Sequence, residues 1–265
     1  MASWRTRRCA AAEAWPRSGR AGETQWLYAL RQEAGCVPVA YSGGRHVTID
    51  FTGSAQMAFA SYWQRLISAD EINHTSDFSP IFWHNLDSGV DASWLSAAWS
   101  PGGMAANVSK SIGDWRAAAL PQESTATDLA GSWGGSTFAV IRGTMHPQQA
   151  AEFAEWYGGT LASWKILGSP AAGAFPGYKP LLDSPALKNA TIPLSGTSKP
   201  NAVFVATAAH LVPIHWPPFM TAALTEGQSV FAGVLNGTET VQQAFRTYQA
   251  GLVRYAQSQG FDVTQ

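Results

Sequence analysis

Short β-prone runs and amphipathic helical stretches alternate along this chain from residue 22 onward, and most of them end on Gly or Pro. A chain that keeps switching between a period of two and a period near 3.6 closes neither as a helical bundle nor as an all-strand sandwich. It folds as an α/β protein. "GETQWLYALRQEAG", residues 22–35, reads as a helix ended by Gly35, with Trp26 in its first turn. "RHVTIDF", 45–51, alternates as a strand, and 54–70 reads as an amphipathic helix with Ser54 as N-cap. A short helix is expected over 82–86. "ASWLSAAWSPGG", 92–103, reads as a buried strand running into a Pro-Gly-Gly turn, and 114–122 as a strand that Pro121 ends. "GGSTFAVIRG", 134–143, is the next expected strand.

Pro147 suits the first position of a helix over 146–159, and Gly158 and Gly159 suit its end. Residues 160–168 read as another helix, 170–200 as a Pro-rich loop and 199–211 as helical. Two helices close the chain, over 218–232 and 238–258. The last has Thr240 or Thr238 as cap and Gly260 as stop. No internal repeat is present.

Composition narrows the function. Only 13% of the 265 residues are charged, and the net charge is −1, which excludes nucleic acid as an expected partner. Residues 1–22 hold five Arg against one acid but no apolar stretch of a signal peptide, so they read as disordered or foreign to the fold. The longest uncharged run, 200–225, contains Pro200, Pro213, Pro217 and Pro218 and is no membrane span. Cys9 and Cys36 make neither a disulfide framework nor a metal pattern. Phosphate-loop, dinucleotide and nucleophile-elbow motifs are absent. His210 and His215 lie five apart across Pro213, the wrong spacing for a helical ligand pair. No metal or cofactor is expected. Asp87 and Asp91 could suggest a glycosidase. Carboxylates that retain configuration, however, sit about 5 Å apart across the sugar, usually on separate elements. The pair reads as a solvated helix end.

The 12 Trp are the outlier. Trp63, Trp94 and Trp156 have apolar neighbours and read as core. Trp26, Trp99, Trp133 and Trp216 each stand where an element meets a turn, beside Gly, Pro or a polar residue. Two readings stay open for these four. They are packing residues, or they line a cleft at element ends, where α/β proteins bind ligands. In the second reading flat apolar faces and neutral amides such as Gln25 suit a polar, uncharged ligand such as a sugar.

Five stretches taken in order resemble one known family. They are "TQWLYALRQEAG", "TIDFTGSAQMAFASYWQRLI", "WLSAAWSPGGMAANV", "WRAAALPQ" with "SWGGSTFAVIRGTMHPQQAAEFAEWYGG", and the closing "HWPPFMTAAL" to "AQSQGF". They are similar to the later part of the extracellular solute-binding proteins of carbohydrate ABC transporters, the class that includes maltose-binding protein. The resemblance covers about residues 23–262. It implies an α/β, type II periplasmic-binding-protein-like fold, two lobes joined by a hinge, with most of the first lobe missing. It assigns 23–132 to the second lobe, 133–180 to a hinge strand and a remnant of the first, and 181–265 to completion of the second.

The implied function is sugar capture for a membrane permease, with no catalysis, by a monomer. Trp133 would stack over the sugar at the hinge, with Gly134 and Gly135 letting the backbone bend. Trp99 would lie nearby, Trp26 and Trp216 would form a stacking wall beside Gln25, and Phe175 would add a weaker contact. A glycoside hydrolase and a hinge-less carbohydrate-binding module are the alternatives. A wrong start or shifted frame before residue 23, and weak binding by the chain as written, are further expectations. The resemblance implies an extracellular or periplasmic, membrane-associated protein, whereas a chain without signal peptide would stay in the cytoplasm.

Overall fold

The computed structural model describes residues 24–73, 75–120, 129–168 and 174–265. The expectations for residues 1–22, for Cys9 and for a strand ended by Pro121 lie outside these or at their edge. In chain order the elements are α1 (Thr24–Glu33), β1 (Val39–Gly43), β2 (His46–Ile49), α2 (Ser54–Ser68), α3 (Pro80–Ser88), α4 (Ser100–Asn107), α5 (Pro147–Gly159), α6 (Leu161–Leu167), α7 (Lys179–Leu182), α8 (Pro185–Lys188), α9 (Pro200–Ala208), α10 (Met220–Leu235), α11 (Val241–Ser258) and β3 (Asp262–Thr264). No described helix is long and apolar enough to cross a membrane.

The main core joins the two ends of the chain. β1 and β2 form an antiparallel hairpin, Val39 opposite Ile49 and Tyr41 opposite Val47, turned at Gly43–Gly44. β3 adds in parallel beside β2, with Val263 opposite Val47, which gives the sheet order β1-β2-β3. Against this small sheet α11 lays an apolar face of Phe245, Tyr248, Leu252 and Ala256, all buried. Thr240 caps α11 by accepting from the Gln243 backbone N–H, while the Gln243 side chain accepts from the Thr240 N–H. Phe51 packs at 4.8 Å from Tyr248 and 5.7 Å from Phe245, ring centre to ring centre. The Tyr248 hydroxyl donates to the Ala223 carbonyl at 2.8 Å, so the Tyr28 hydroxyl is the donor in its 3.0 Å bond to Tyr248. Burial raises both phenols far above their ordinary pKa, and they act only as neutral hydrogen-bonding groups.

A satellite core lies under α3 and α4: Phe82, Leu86, Met104, Val108 and Leu194, flanked by Trp83, Trp94 and Trp115. Residues 134–168 differ from both. α5 buries none of its residues, and Ile141, Met145, Phe153 and Ile166 are 74%, 86%, 51% and 62% exposed.

Several sequence expectations fail here. Residues 92–98, 114–120 and 134–143 form no strand among the described residues; the Trp115 N–H donates to the Leu194 carbonyl, but no ladder grows from that contact. Pro101, Gly102 and Gly103 stand inside α4 and not in a turn, since Pro at the first positions of a helix loses no internal hydrogen bond. Gly53, not Ser54, is the N-cap of α2; the Asp50 carboxylate accepts from the Thr52 and Gly53 N–H groups. Trp156, expected in the core, is 41% exposed. β1 and β3 were not expected, although "YSGGRHV" carries the Gly-Gly hairpin signal.

Candidate functional site

An open cleft of about 2600 Å³ runs between the satellite core, the 129–138 segment, α9, and the 174–178 loop with α7. Its position follows from how the 129–133 segment is held. The Ala130 N–H donates to the His210 carbonyl and the Val212 N–H donates to the Ala130 carbonyl, a single parallel bridge centred on Leu211. On the other side Gly131 lies directly against the backbone of Ala29 in α1, too close for any side chain. The Ser132 N–H then donates to the buried Gln32 Oε1 at 2.8 Å. Three consecutive residues are thus fixed before the chain reaches Trp133. Gly134 and Gly135 follow with φ of +94° and +138°, a left-handed path that turns the chain away and leaves the indole behind at the cleft wall.

The rings form a connected array. Trp133 packs 4.8 Å from Trp26 and 5.1 Å from Trp99, with planes tilted by 37° and 54°. Trp99 continues to Trp94 at 6.0 Å and to Phe78 at 6.1 Å. Trp26 is 4% exposed, so it backs Trp133 and offers no face of its own. Seven of the sequence-predicted residues, Gln25, Trp26, Trp99, Trp133, Gly134, Gly135 and Phe175, line this one cleft. Trp216 does not line it. It is 40% exposed and lies edge-on against Tyr28 at 5.7 Å, on the main core. The expected wall of Trp26 and Trp216 is therefore replaced by Trp133 and Trp99, with Trp26 behind. Trp94 and Phe78 were not assigned to the site from sequence. Trp94 was placed in the core by its apolar neighbours, and Phe78 lies in a polar loop that gives no periodic signal.

The cleft lining carries neutral polar side chains, Gln25, Ser93 and Ser132 among them, and charged ones as well: Asp114, Arg116, Lys179, Asp183 and Lys188 besides Asp87 and Asp91. Phe175 sits across the cleft, edge-on to Phe204 of α9 at 5.9 Å. Of the two carboxylates noted in the sequence, Asp87 stands at the solvated end of α3 as expected, whereas Asp91 lies beyond the helix and is buried. The Asp87 carboxylate accepts from the backbone N–H groups of Ser109, Lys110 and Ser111 and from both serine hydroxyls. These bonds hold its pKa down at about 2. Asp91 is 2% exposed; the Asn73 amide donates to both its oxygens, at 2.9 and 2.8 Å. Burial raises the Asp91 pKa against the opposing effect of its Asn73 and Asn85 bonds. Each carboxylate is committed to a structural contact, Asp87 tying the loop after α4 to α3 and Asp91 tying Asn73 to the start of the Trp94–Trp99 segment. Among the described residues no group of three His, Cys, Asp or Glu side chains is placed to hold a metal ion.

No protein-family model matches the sequence. No curated protein matches it. Solved structures do. An ABC-transporter-associated binding protein from B. animalis subsp. lactis Bl-04, solved with β-1,6-galactobiose, superposes with a TM-score of 0.83 at 24% identity, covering 96% of this chain and 64% of that one. The galacto-N-biose/lacto-N-biose I-binding protein of the ABC transporter from Bifidobacterium longum, solved with lacto-N-biose, gives 0.74 at 19% identity, covering 96% and 62%. A cyclo/maltodextrin-binding protein complexed with maltotetraose gives 0.57 at 16% identity, covering 94% and 60%. The chain thus spans less than two thirds of the length of each of these proteins. It has the periplasmic-binding-protein-like fold of the sugar-binding proteins of ABC transporters.

Proposed function

We propose that this chain binds a neutral sugar or oligosaccharide in the cleft at Trp99 and Trp133, as the solute-binding component of an ABC importer that delivers it to a membrane permease. The observation that carries the reading is the Trp26–Trp133–Trp99 array, with one ring buried as support and two partly exposed rings lining an open cleft. A flat apolar face matches the C–H face of a pyranose, and serine and glutamine side chains match its hydroxyls. Protein neighbours of the same fold, solved with galactobiose, lacto-N-biose and maltotetraose, support the same ligand class. In this reading residues 23–132 and 181–265 form one lobe, and 133–180 make a hinge strand and part of the other. The protein works outside the cytoplasmic membrane, and no chemical step occurs. The bonds that occupy Asp87 and Asp91 weigh against a glycosidase.

Isothermal titration with galactose, glucose, β-1,6-galactobiose, lacto-N-biose and maltotetraose tests the proposal. At least one of them gives a saturable isotherm that Trp133→Ala removes. Flat isotherms for all five, from a chain with a cooperative melt, would sink the reading.

A further inference from the structure

Phe78 stands out on two independent grounds. Its φ is +60°, in the left-handed region, where a bulky side chain is an outlier. The residue is also 46% exposed and lines the cleft, although its ring touches four other aromatics. Those rings are Phe82 at 6.1 Å, Trp83 at 5.9 Å, Trp94 at 6.3 Å and Trp99 at 6.1 Å. The next residue explains how the conformation is held. The Ser79 side chain caps α3 by accepting from the Phe82 N–H at 3.2 Å, and Pro80 starts that helix. The backbone on the far side of Phe78 is therefore fixed, and the ring rests on the satellite-core rings Phe82, Trp83 and Trp94 at the lip of the cleft. Strain of this kind persists where the surroundings over-determine it, and it collects at ligand clamps.

Resting on the sugar-binding reading above, we infer that Phe78 is a specificity-determining contact that extends the platform from Trp133 through Trp99 to a further ring, so that the site takes a ligand of at least two sugar residues. The steps between ring centres, 5.1 Å from Trp133 to Trp99 and 6.1 Å from Trp99 to Phe78, each match about one pyranose along a glycan. The planes turn by 54° and then 39°, so successive sugar rings on this track are not all coplanar. A monosaccharide on Trp133 and Trp99 would leave Phe78 uncovered. A second or third residue would cover it. Covering on the order of 50 Å² of ring face at ~25 cal/mol per Å² corresponds to roughly a five- to tenfold gain in affinity.

The test titrates the wild type, Phe78→Gly, Phe78→Leu and Phe78→Tyr against galactose, glucose, β-1,6-galactobiose, lacto-N-biose and maltotetraose. Gly keeps the positive-φ backbone without the ring, Leu keeps bulk without a flat face, and Tyr keeps the face. Trp99→Ala serves as the control for the site itself. The inference predicts that Gly and Leu lose about five- to tenfold for the oligosaccharide, that Tyr keeps its affinity, and that all three leave the monosaccharides unchanged. Trp99→Ala weakens both classes. Oligosaccharide affinity unchanged in Phe78→Gly, with Trp99→Ala weakened, would overturn the role of Phe78 and leave the site standing. Equal losses for mono- and oligosaccharides in Phe78→Gly would make Phe78 a packing residue and also overturn it. No binding of any sugar by the wild type would remove both proposals together.

Discussion

Gly131→Ala tests how the cleft is built. A methyl group there would lie 2.5 Å from the Ala29 carbonyl carbon and 2.9 Å from its Cα, on top of the carbonyl oxygen. Ordinary contact begins near 3.4 Å, and both partners are backbone, so the 129–133 segment must retreat by about an ångström. The retreat stretches the 2.8 Å bond from the Ser132 N–H to Gln32, worth about 1 kcal/mol. It also opens the Trp26–Trp133 contact, worth about 0.5–1.5 kcal/mol beyond its area. With an overpacking cost of about 1–3 kcal/mol, the variant should lose roughly 3–5 kcal/mol. That is on the order of 10 °C in Tm for a chain of this size. Gly177→Ala is the control, since it also lines the cleft but has nothing within 4 Å and an ordinary φ. Urea melts followed by tryptophan fluorescence measure both variants. A Gly131→Ala protein within about 0.5 kcal/mol of wild type would refute the close approach and the way Trp133 is placed.

Three further outcomes are expected. Glu33 is 6% exposed, and burial raises its pKa from 4.5 to about 8. Its folded-state pKa lies above the unfolded one, so the contribution of Glu33 to stability is fully present below about pH 4.5 and is lost as pH rises through about 8. Glu33→Gln should flatten that slope, by on the order of 2–4 kcal/mol between the two ends, read from melts across pH. Asp87 behaves in the opposite sense: its lowered pKa gives stability above the unfolded value near 3.8, lost as pH falls through about 2. Asp87→Asn should lower Tm at pH 7, with the gap to wild type closing in acid; an unchanged Tm would show that the 109–111 loop does not depend on it. Ile141→Asp combined with Met145→Glu replaces two exposed apolar side chains, so light scattering should show less self-association at an unchanged Tm. A large fall in Tm would mean that these residues are covered in the folded protein.

Helices were legible in the sequence where local chemistry alone decides them. α11 has its Thr-x-x-Gln capping box and a clean 3.6 period, and α5 has Pro at its start. Strands were not, because extended composition in "ASWLSAA" and "GGSTFAVIRG" gives a segment the shape of a strand but supplies no neighbour to pair with. The ligand-facing side of the rings was half legible. Trp133 between glycines announced a close approach, and Gly131 supplies it. Trp26 looked equally available because it stands in the first turn of the expected helix, beside polar Gln25. In the fold α1 is buried nearly all round, down to Arg31, Gln32 and Glu33, with Arg31 lying over the Phe59 ring at 4.7 Å. Such a helix sits between the main core and the cleft, a position set by contacts with residues about 100 and 200 further along the chain. No local pattern reports those. Phe78 was invisible for another reason: its signal is a backbone angle.

The most direct measurement of the central claim is a tryptophan fluorescence titration with galactobiose and maltotetraose, run in parallel on wild type, Trp133→Ala and Trp216→Ala. The account predicts a saturable shift for one of the two sugars in the wild type, with Kd of roughly 0.1–1 mM, or about −4 to −5.5 kcal/mol. Trp216→Ala should keep it, because that ring lies off the cleft, and Trp133→Ala should lose it. A shift that survives Trp133→Ala, or that disappears with Trp216→Ala, would contradict the assignment of the cleft as the sugar site.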